Sequence, residues 1–406
     1  MTAARSVSRQ WLATLYAAVV SMLLTFLLGR VFGPETFGRY SYIITIASLF
    51  AILQDGGFRT LLFRELTSPS LPTAVEKLFP IALGHVLAVT GFGVLIVTVL
   101  PLPDPVPTGL AVLAFGLGTV TRFISSHLRG QGKFSREAGW SVLVRTITAV
   151  GILASLYGFS PKVEWVLAGW VSGYLLSLVF QPYCPLGKIS LVKPDPRIYK
   201  SLTALVIIDI ATLIYFKIDI VMLRHLGPSL QQVGFYAADS RILEGIIFLL
   251  LPFANVFFRE MRLRSKDPPR LVRFTNRLIG AACLTALIIV PAGLILGEGV
   301  LVLCFGEDYR AAAELLHWLF LALAFMIPNL VLTQGALAID RENYYAAGAC
   351  AAALLNITLN LFLIPALGAK GAALGTLITE GFLSIFIAAG ILSWVAKQGK
   401  PKIEPR

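Results

Sequence analysis

Twelve apolar runs of spanning length recur along the chain. They lie at about 11–29, 37–62, 79–100, 107–127, 139–158, 164–181, 202–224, 233–258, 274–296, 312–337, 343–364 and 369–395. Each is close to the ~20 residues a helix needs to cross a bilayer core. The runs are continuous and rich in Leu and Ala rather than alternating in polarity, so they predict helices and not barrel strands. The expected class is therefore an all-α integral membrane protein with about 12 transmembrane helices. Segments between the runs are short; outer loops such as PLPDPVPTG and PALGAKG leave no room for a sizeable soluble domain. The linker QPYCPLGKISLVKPDPRIYK lies midway and predicts two six-helix bundles, 1–187 and 188–406.

An internal repeat supports that division. GRVFGPETFGRY joins the first two runs and RHLGPSLQQVGFY joins the seventh and eighth. Phe63-Arg64-Glu65 then follows Gly33 by 30 residues, as Phe258-Arg259-Glu260 follows Gly227 by 31. A weaker echo pairs AGWSVLVRTIT with AGACAAALLNIT. Matches in the same order indicate duplication. Six spans per half give parallel repeats, which place a substrate path between them.

Composition agrees, and charge adds orientation. Of 406 residues, 57% are hydrophobic and only 14% charged, far below the ~25% of a soluble protein. The formal charge of +12 would suit nucleic acid if it formed one patch, but the basic residues are spread through loops between spans. With the N-terminus inside, 24 of the 34 Lys and Arg fall on the inner side, six outside and four within spans. The positive-inside bias therefore predicts cytoplasmic termini in a plasma or inner membrane. The four cysteines and four histidines are scattered, with neither metal spacing nor a disulfide framework, so no cofactor or metal is expected. LRGQGKFS around Lys133 lacks the first glycine and the Ser/Thr of a phosphate loop, which speaks against ATP hydrolysis.

Four stretches recur in the order of a known family. They are LGRVFGPETFGRYSYIITIASLFAILQDGGFRTLLFREL, FKIDIVMLRHLGPSLQQVGFYAADSRILE, FGEDYRAAAELLHWLFLALAF and NITLNLFLIPALGAKGAALGTLITE. The chain resembles the polysaccharide-biosynthesis branch of the multidrug/oligosaccharidyl-lipid/polysaccharide exporter superfamily, the O-antigen-type flippases. That resemblance implies a V-shaped, alternating-access transporter working as a monomeric unit in the bilayer. It also implies a polyprenyl-diphosphate-linked oligosaccharide as substrate, moved from the cytoplasmic to the outer leaflet, with a monovalent cation or proton as a possible coupled partner. Lipid II flippases of the superfamily carry an Arg-Asp pair in the first span; WLATLYAAVVSMLLTFLLG has no charge, which favours surface or capsular glycan over peptidoglycan. The alternatives are a cation-coupled drug or metabolite antiporter of the superfamily, and a membrane glycosyltransferase or polymerase with acids at an outer mouth.

A diphosphate head needs a wet path lined by cations, and arginine meets phosphate with a bidentate, permanently charged fork. Arg145, about seven residues into the fifth run, faces either the path or a neighbouring helix. Arg122, near the inner end of the fourth, suits an inner mouth or snorkels to the headgroups. Arg59 stands four residues after Asp55, across Gly56-Gly57, where the helix is weakened; a hinge and close packing are the two readings. The stretch Asp209–Glu244 carries most of the intramembrane charge. Folded about Gly227-Pro228, it sets Lys217 level with Asp239, while Arg241 and Glu244 share a helix face. These four predict a mutually neutralising lock, with Lys217 and Arg241 as alternative phosphate contacts and Asp239 and Glu244 as alternative coupling groups. Asp219 points about 200° away from Lys217. Asp209 and Glu380, without local partners in the sequence, are the leading coupling candidates. Asn356 and Asn360 share a face and read as interhelical glue.

Overall fold

The computed structural model describes residues 3–67, 75–100, 104–180, 196–265 and 267–398. Among the described residues it is all helical. The helices are α1 (Ala3–Asp55), α2 (Phe58–Thr67), α3 (Val75–Val99), α4 (Pro105–Gly130), α5 (Phe134–Gly158) and α6 (Val163–Leu178). They continue as α7 (Pro196–Leu226), α8 (Leu230–Arg264) and α9 (Pro268–Phe305). After a 3-10 turn at Glu307–Ala312 come α10 (Ala313–Ala338), α11 (Glu342–Leu367) and α12 (Ala369–Gln398).

The first two predicted runs form one long element, α1, bent at Gly33 (φ 70°, ψ 170°) ahead of Pro34. Glycine accepts that backbone without a Cβ clash, and the proline has no N–H to continue the ladder. The second run then breaks earlier than its hydropathy suggests. Gly56 and Gly57 both take positive φ, 53° and 79°, and separate α1 from α2. Other helices outrun their apolar cores because local chemistry sets the ends. In α9 the Asp267 side chain accepts from the Arg270 N–H at 3.1 Å ahead of Pro268-Pro269, and Gly306 (φ 101°) stops the helix.

Among the described residues, nine helical stretches are long and apolar enough to cross a membrane, the first running over Ser8–Thr67. Large apolar side chains stand outward on them, among them Leu287, Ile295, Ile385 and Phe362. Such a surface fits lipid and not water. This is a multi-pass membrane protein.

The chain forms two compact units. One comprises Met1–Phe32 with Arg39–Leu213, the other Gly33–Gly38 with Ile214–Arg406. The expected boundary at 187/188 falls outside the described residues, and the compact units divide later, inside α7. The cause is packing: Ile198 and Leu202, in the first turns of α7, are buried with Phe58, Leu78, Phe123 and Trp140 of the first unit.

The second unit explains the repeated Gly-Pro segments. Its short contribution from α1, Gly33–Gly38, lies against the start of α8. A Cβ on Gly38 would strike the Leu230 carbonyl oxygen and stand 2.7 Å from the Gly234 nitrogen; one on Gly234 would strike the Pro34 carbonyl. The corresponding glycines of the two copies thus touch, and only glycine permits that approach. Beside them Phe37 packs on Phe305 and edge-on to Tyr309, with ring centroids 5.7 and 6.3 Å apart.

Candidate functional site

The second unit holds an open cavity of about 290 Å³ walled by α7, α8, α10, α11 and α12. Asp219 and Tyr236 line one part of it, with Asn356 and Thr376; Glu244 and Glu380 line others. Asp219 is buried and accepts from the Tyr236 hydroxyl and the Asn360 amide, each at 2.6 Å. The Thr376 hydroxyl lies 3.3 Å from the same carboxylate. Asn360 also donates to the Asn356 carbonyl oxygen at 3.0 Å, which leaves its own Oδ1 without a partner among the described residues. A carboxylate, two amide oxygens and two hydroxyls drawn from four helices form a set of hard oxygen donors suited to a small cation.

From the sequence, helix geometry says of Asp219 only that it points away from Lys217. The signal was nevertheless present: Asn356 and Asn360 share a face, and their interhelical role is visible here as the Asn360 link to Asp219.

Glu380, also buried, sits at another part of the same cavity. The Asn329 amide donates to its carboxylate at 2.8 Å, and Ser384 donates to the Asn329 carbonyl oxygen at 2.7 Å. The Thr379 hydroxyl beside it is buried with no partner among the described residues. Glu380 therefore belongs to a polar chain joining α10 and α12.

The predicted lock forms with one correction. Lys217 pairs with Glu244, not Asp239, and Arg241 donates to Glu244 at 2.7 Å. Equal distance from the turn fixes height but not direction. Asp239 and Glu244 are five residues apart, about 140° around the helix, so they cannot both face Lys217. Asp239 is wholly buried, and neither of its carboxylate oxygens has a partner among the described residues.

In the first unit, Asp55 and Arg59 pair across the helix break, with Nε 3.8 Å from Oδ2. Asp209 lies within electrostatic reach of both, so it has partners that its own neighbourhood in sequence does not show. Arg122 is also within reach of Asp55 and Arg59, and it donates to the Thr119 hydroxyl at 2.6 Å. Three candidates from separate stretches, Arg59, Arg122 and Asp209, therefore gather around Asp55. Arg145 stands apart. Because α5 begins at Phe134, it lies about 17 Å along the helix, deeper than the apolar run alone suggests. It is half-buried, and its guanidinium meets no hydrogen-bond or carboxylate partner among the described residues.

The break at Gly56-Gly57 is braced from two sides. The His85 Nε2 meets the Leu53 carbonyl at 2.8 Å, and Tyr199 reaches the His85 Nδ1 at 3.3 Å. A carbonyl can only accept, so His85 carries a proton on Nε2; in the neutral ring Nδ1 then accepts from the Tyr199 hydroxyl.

Two all-helical units, built of helices long and apolar enough to cross a membrane and holding buried charges, define a polytopic all-α membrane protein. The chain belongs to the polysaccharide biosynthesis protein family, whose pattern it matches over residues 3–258. It is 22% identical to the probable low-salt glycan biosynthesis flippase Agl15 of Haloferax volcanii, over 98% of this chain and 85% of that one. Solved structures with the same fold include an inward-facing multidrug resistance transporter of the MATE family in the MOP superfamily. Its TM-score is 0.70 at 14% identity, covering 99% of this chain and 100% of that one. The lipid II flippase MurJ, in an inward closed conformation, gives a TM-score of 0.67 at 16% identity, covering 94% and 87%.

Proposed function

We propose that this protein moves a polyprenyl-diphosphate-linked oligosaccharide from the cytoplasmic to the outer leaflet, as two six-helix halves with cytoplasmic termini. The carrying observation is Arg145, a half-buried guanidinium at mid-helix depth without a carboxylate, in a chain of the polysaccharide biosynthesis family. A permanent cation held inside hydrocarbon costs several kcal/mol unless an anion or water meets it, and a diphosphate meets that need. Arg122 and Arg59, around Asp55, provide an entry station closer to the inner end.

Movement is coupled to a monovalent cation or proton through the second unit. Asp219, with Asn356, Asn360, Thr376 and Tyr236, offers the oxygen donors. Glu380 and Asp239 supply further acids in the same unit, whereas Glu244 is neutralised by Lys217 and Arg241.

Most of the outer acids support a non-catalytic reading. Arg39 holds Asp104 at 2.7 Å and Glu164 at 2.8 Å, Arg310 holds Glu298 and Glu307, and Lys370 holds Glu314. Acids occupied in this way are poor glycosyl-transfer groups. A second reading, cation-coupled export of a lipophilic compound, draws on the mostly apolar wall of the 290 Å³ cavity and its carboxylates.

The test is transport by purified protein in liposomes carrying a labelled polyprenyl-diphosphate glycan. Wild-type protein should move the label between leaflets, and Arg145→Ala should lower the rate at least about tenfold at unchanged melting temperature, one lost charged contact being worth ~1.5–3 kcal/mol. Movement no faster than in protein-free liposomes would overturn the reading. Export of a lipophilic cation with no glycan movement would select the second one.

A further inference from the structure

A second cavity, of about 240 Å³, lies at the other end of the second unit's helices from the Gly-Pro turn. It is formed by the first turns of α9 and the last turns of α10 and α12, and its walls are mainly aliphatic. Walls of that kind favour an apolar occupant over water. Gly335 keeps it open: a Cβ there would meet Ile391, Met261 and Thr275 only at 3.4–3.9 Å.

The rim is unlike the walls. Asn276, an exposed lining residue, marks the edge, Trp394 adds an indole to the lining, and Arg273 and Arg277 flank Asn276 one turn and one residue away on α9. Several nearby basic residues are already matched, Arg262 with Asp340, Arg264 with Glu260 and Arg270 with Asp267. Arg273 reaches only the Pro269 carbonyl of its own helix, at 3.4 Å, and Arg277 has no partner among the described residues. Two exposed arginines without carboxylates and an amide at the mouth of an apolar hole, with an indole in its lining, combine an anionic headgroup site with an acyl-chain slot.

We propose that this cavity binds one chain of an anionic phospholipid of the cytoplasmic leaflet, with its phosphate held by Arg273 and Arg277. The bound lipid would fill the gap among α9, α10 and α12 and fix the inner end of α9 to the bilayer. The site lies within the second unit; it rests on the proposed cytoplasmic termini but not on the glycan as substrate.

The experiment is native mass spectrometry of the full purified chain titrated with dioleoyl phosphatidylglycerol, dioleoyl phosphatidylcholine or undecaprenyl phosphate. Phosphatidylglycerol should be retained in preference to phosphatidylcholine. The double variant R273Q/R277Q should weaken phosphatidylglycerol about thirty-fold, from ~1 kcal/mol per arginine at a membrane surface, and so erase the preference. Gly335→Leu, or Ala388→Leu from another wall, should lower retention of phosphatidylglycerol while leaving helical content unchanged. Equal binding of the two phospholipids by wild type, or a preference that survives R273Q/R277Q, overturns the proposal. Undecaprenyl phosphate displacing phosphatidylglycerol from a site that either filling variant abolishes also overturns it, because the cavity then serves the substrate's own lipid class.

Discussion

Replacing Tyr236 by Phe removes one atom from the centre of the second unit and leaves the ring in place. The lost hydroxyl donates to Asp219 at 2.6 Å, and both residues are buried. A hydrogen bond to a charged acceptor contributes ~1.5–3 kcal/mol, against ~0.5–1.5 for a neutral one. The same unit offers an internal control: the Tyr344 hydroxyl donates to the neutral Phe386 carbonyl at 3.0 Å. At about 2–4 °C per kcal/mol for a unit of this size, Tyr236→Phe should lower the melting temperature by roughly 4–8 °C, and Tyr344→Phe by roughly 2–4 °C. The assay is thermal unfolding of the purified variants in one detergent, followed by intrinsic fluorescence. Equal shifts for the two variants would refute the reasoning, because they would make Asp219 a neutral acceptor and remove the anionic centre from the proposed cation site.

Two further perturbations test the backbone features. Gly234→Ala forces a methyl onto the Pro34 carbonyl, and overpacking of this kind costs ~1–3 kcal/mol or more; a fall in folded yield and melting temperature is expected, and unchanged values would show that the glycine approach is slack. Gly56→Ala combines a positive φ with a Cβ 2.6 Å from the His85 ring nitrogen; it should cost ~1–2 kcal/mol from the backbone alone, and circular dichroism melts would read it.

The membrane spans were legible because a run of some 20 apolar residues has few other fates. Their ends were less so. Asp267 with Pro268-Pro269 starts α9 ahead of its apolar run, and Gly56-Gly57 cuts the second run short, through local backbone chemistry to which hydropathy is blind. The Asp55–Arg59 and Arg241–Glu244 pairs were readable because residues three or four apart share a helix face. Asp209 was not, since Asp55 and Arg59 lie far away in sequence. Asp219 was hidden for the same reason: its donors come from α8, α11 and α12, and only the Asn356/Asn360 pair left a trace along one helix.

The duplication supplies a sharper test of the remaining puzzle, Asp239. Aligning Gly38 with Gly234 places Tyr40 opposite Tyr236, and it sets Ile43, Thr45 and Ser48 against Asp239, Arg241 and Glu244. Ile43 and Asp239 are both 0% exposed, so one packing position holds an isoleucine in one copy and an unpartnered carboxyl in the other. Burying a polar group without a hydrogen bond costs ~1–3 kcal/mol in protein interiors. Asp239→Ile, the substitution the first copy already carries, should therefore raise the melting temperature by roughly 4–8 °C. A protein that keeps such a cost gains from the carboxyl elsewhere, so the same variant should lose cation-dependent glycan movement in liposomes. Higher stability with full transport would make Asp239 a tolerated defect and strike it from the coupling groups. A lower melting temperature would instead mean that a bound ion or water satisfies the carboxyl, and that Asp239 is part of the cation site itself.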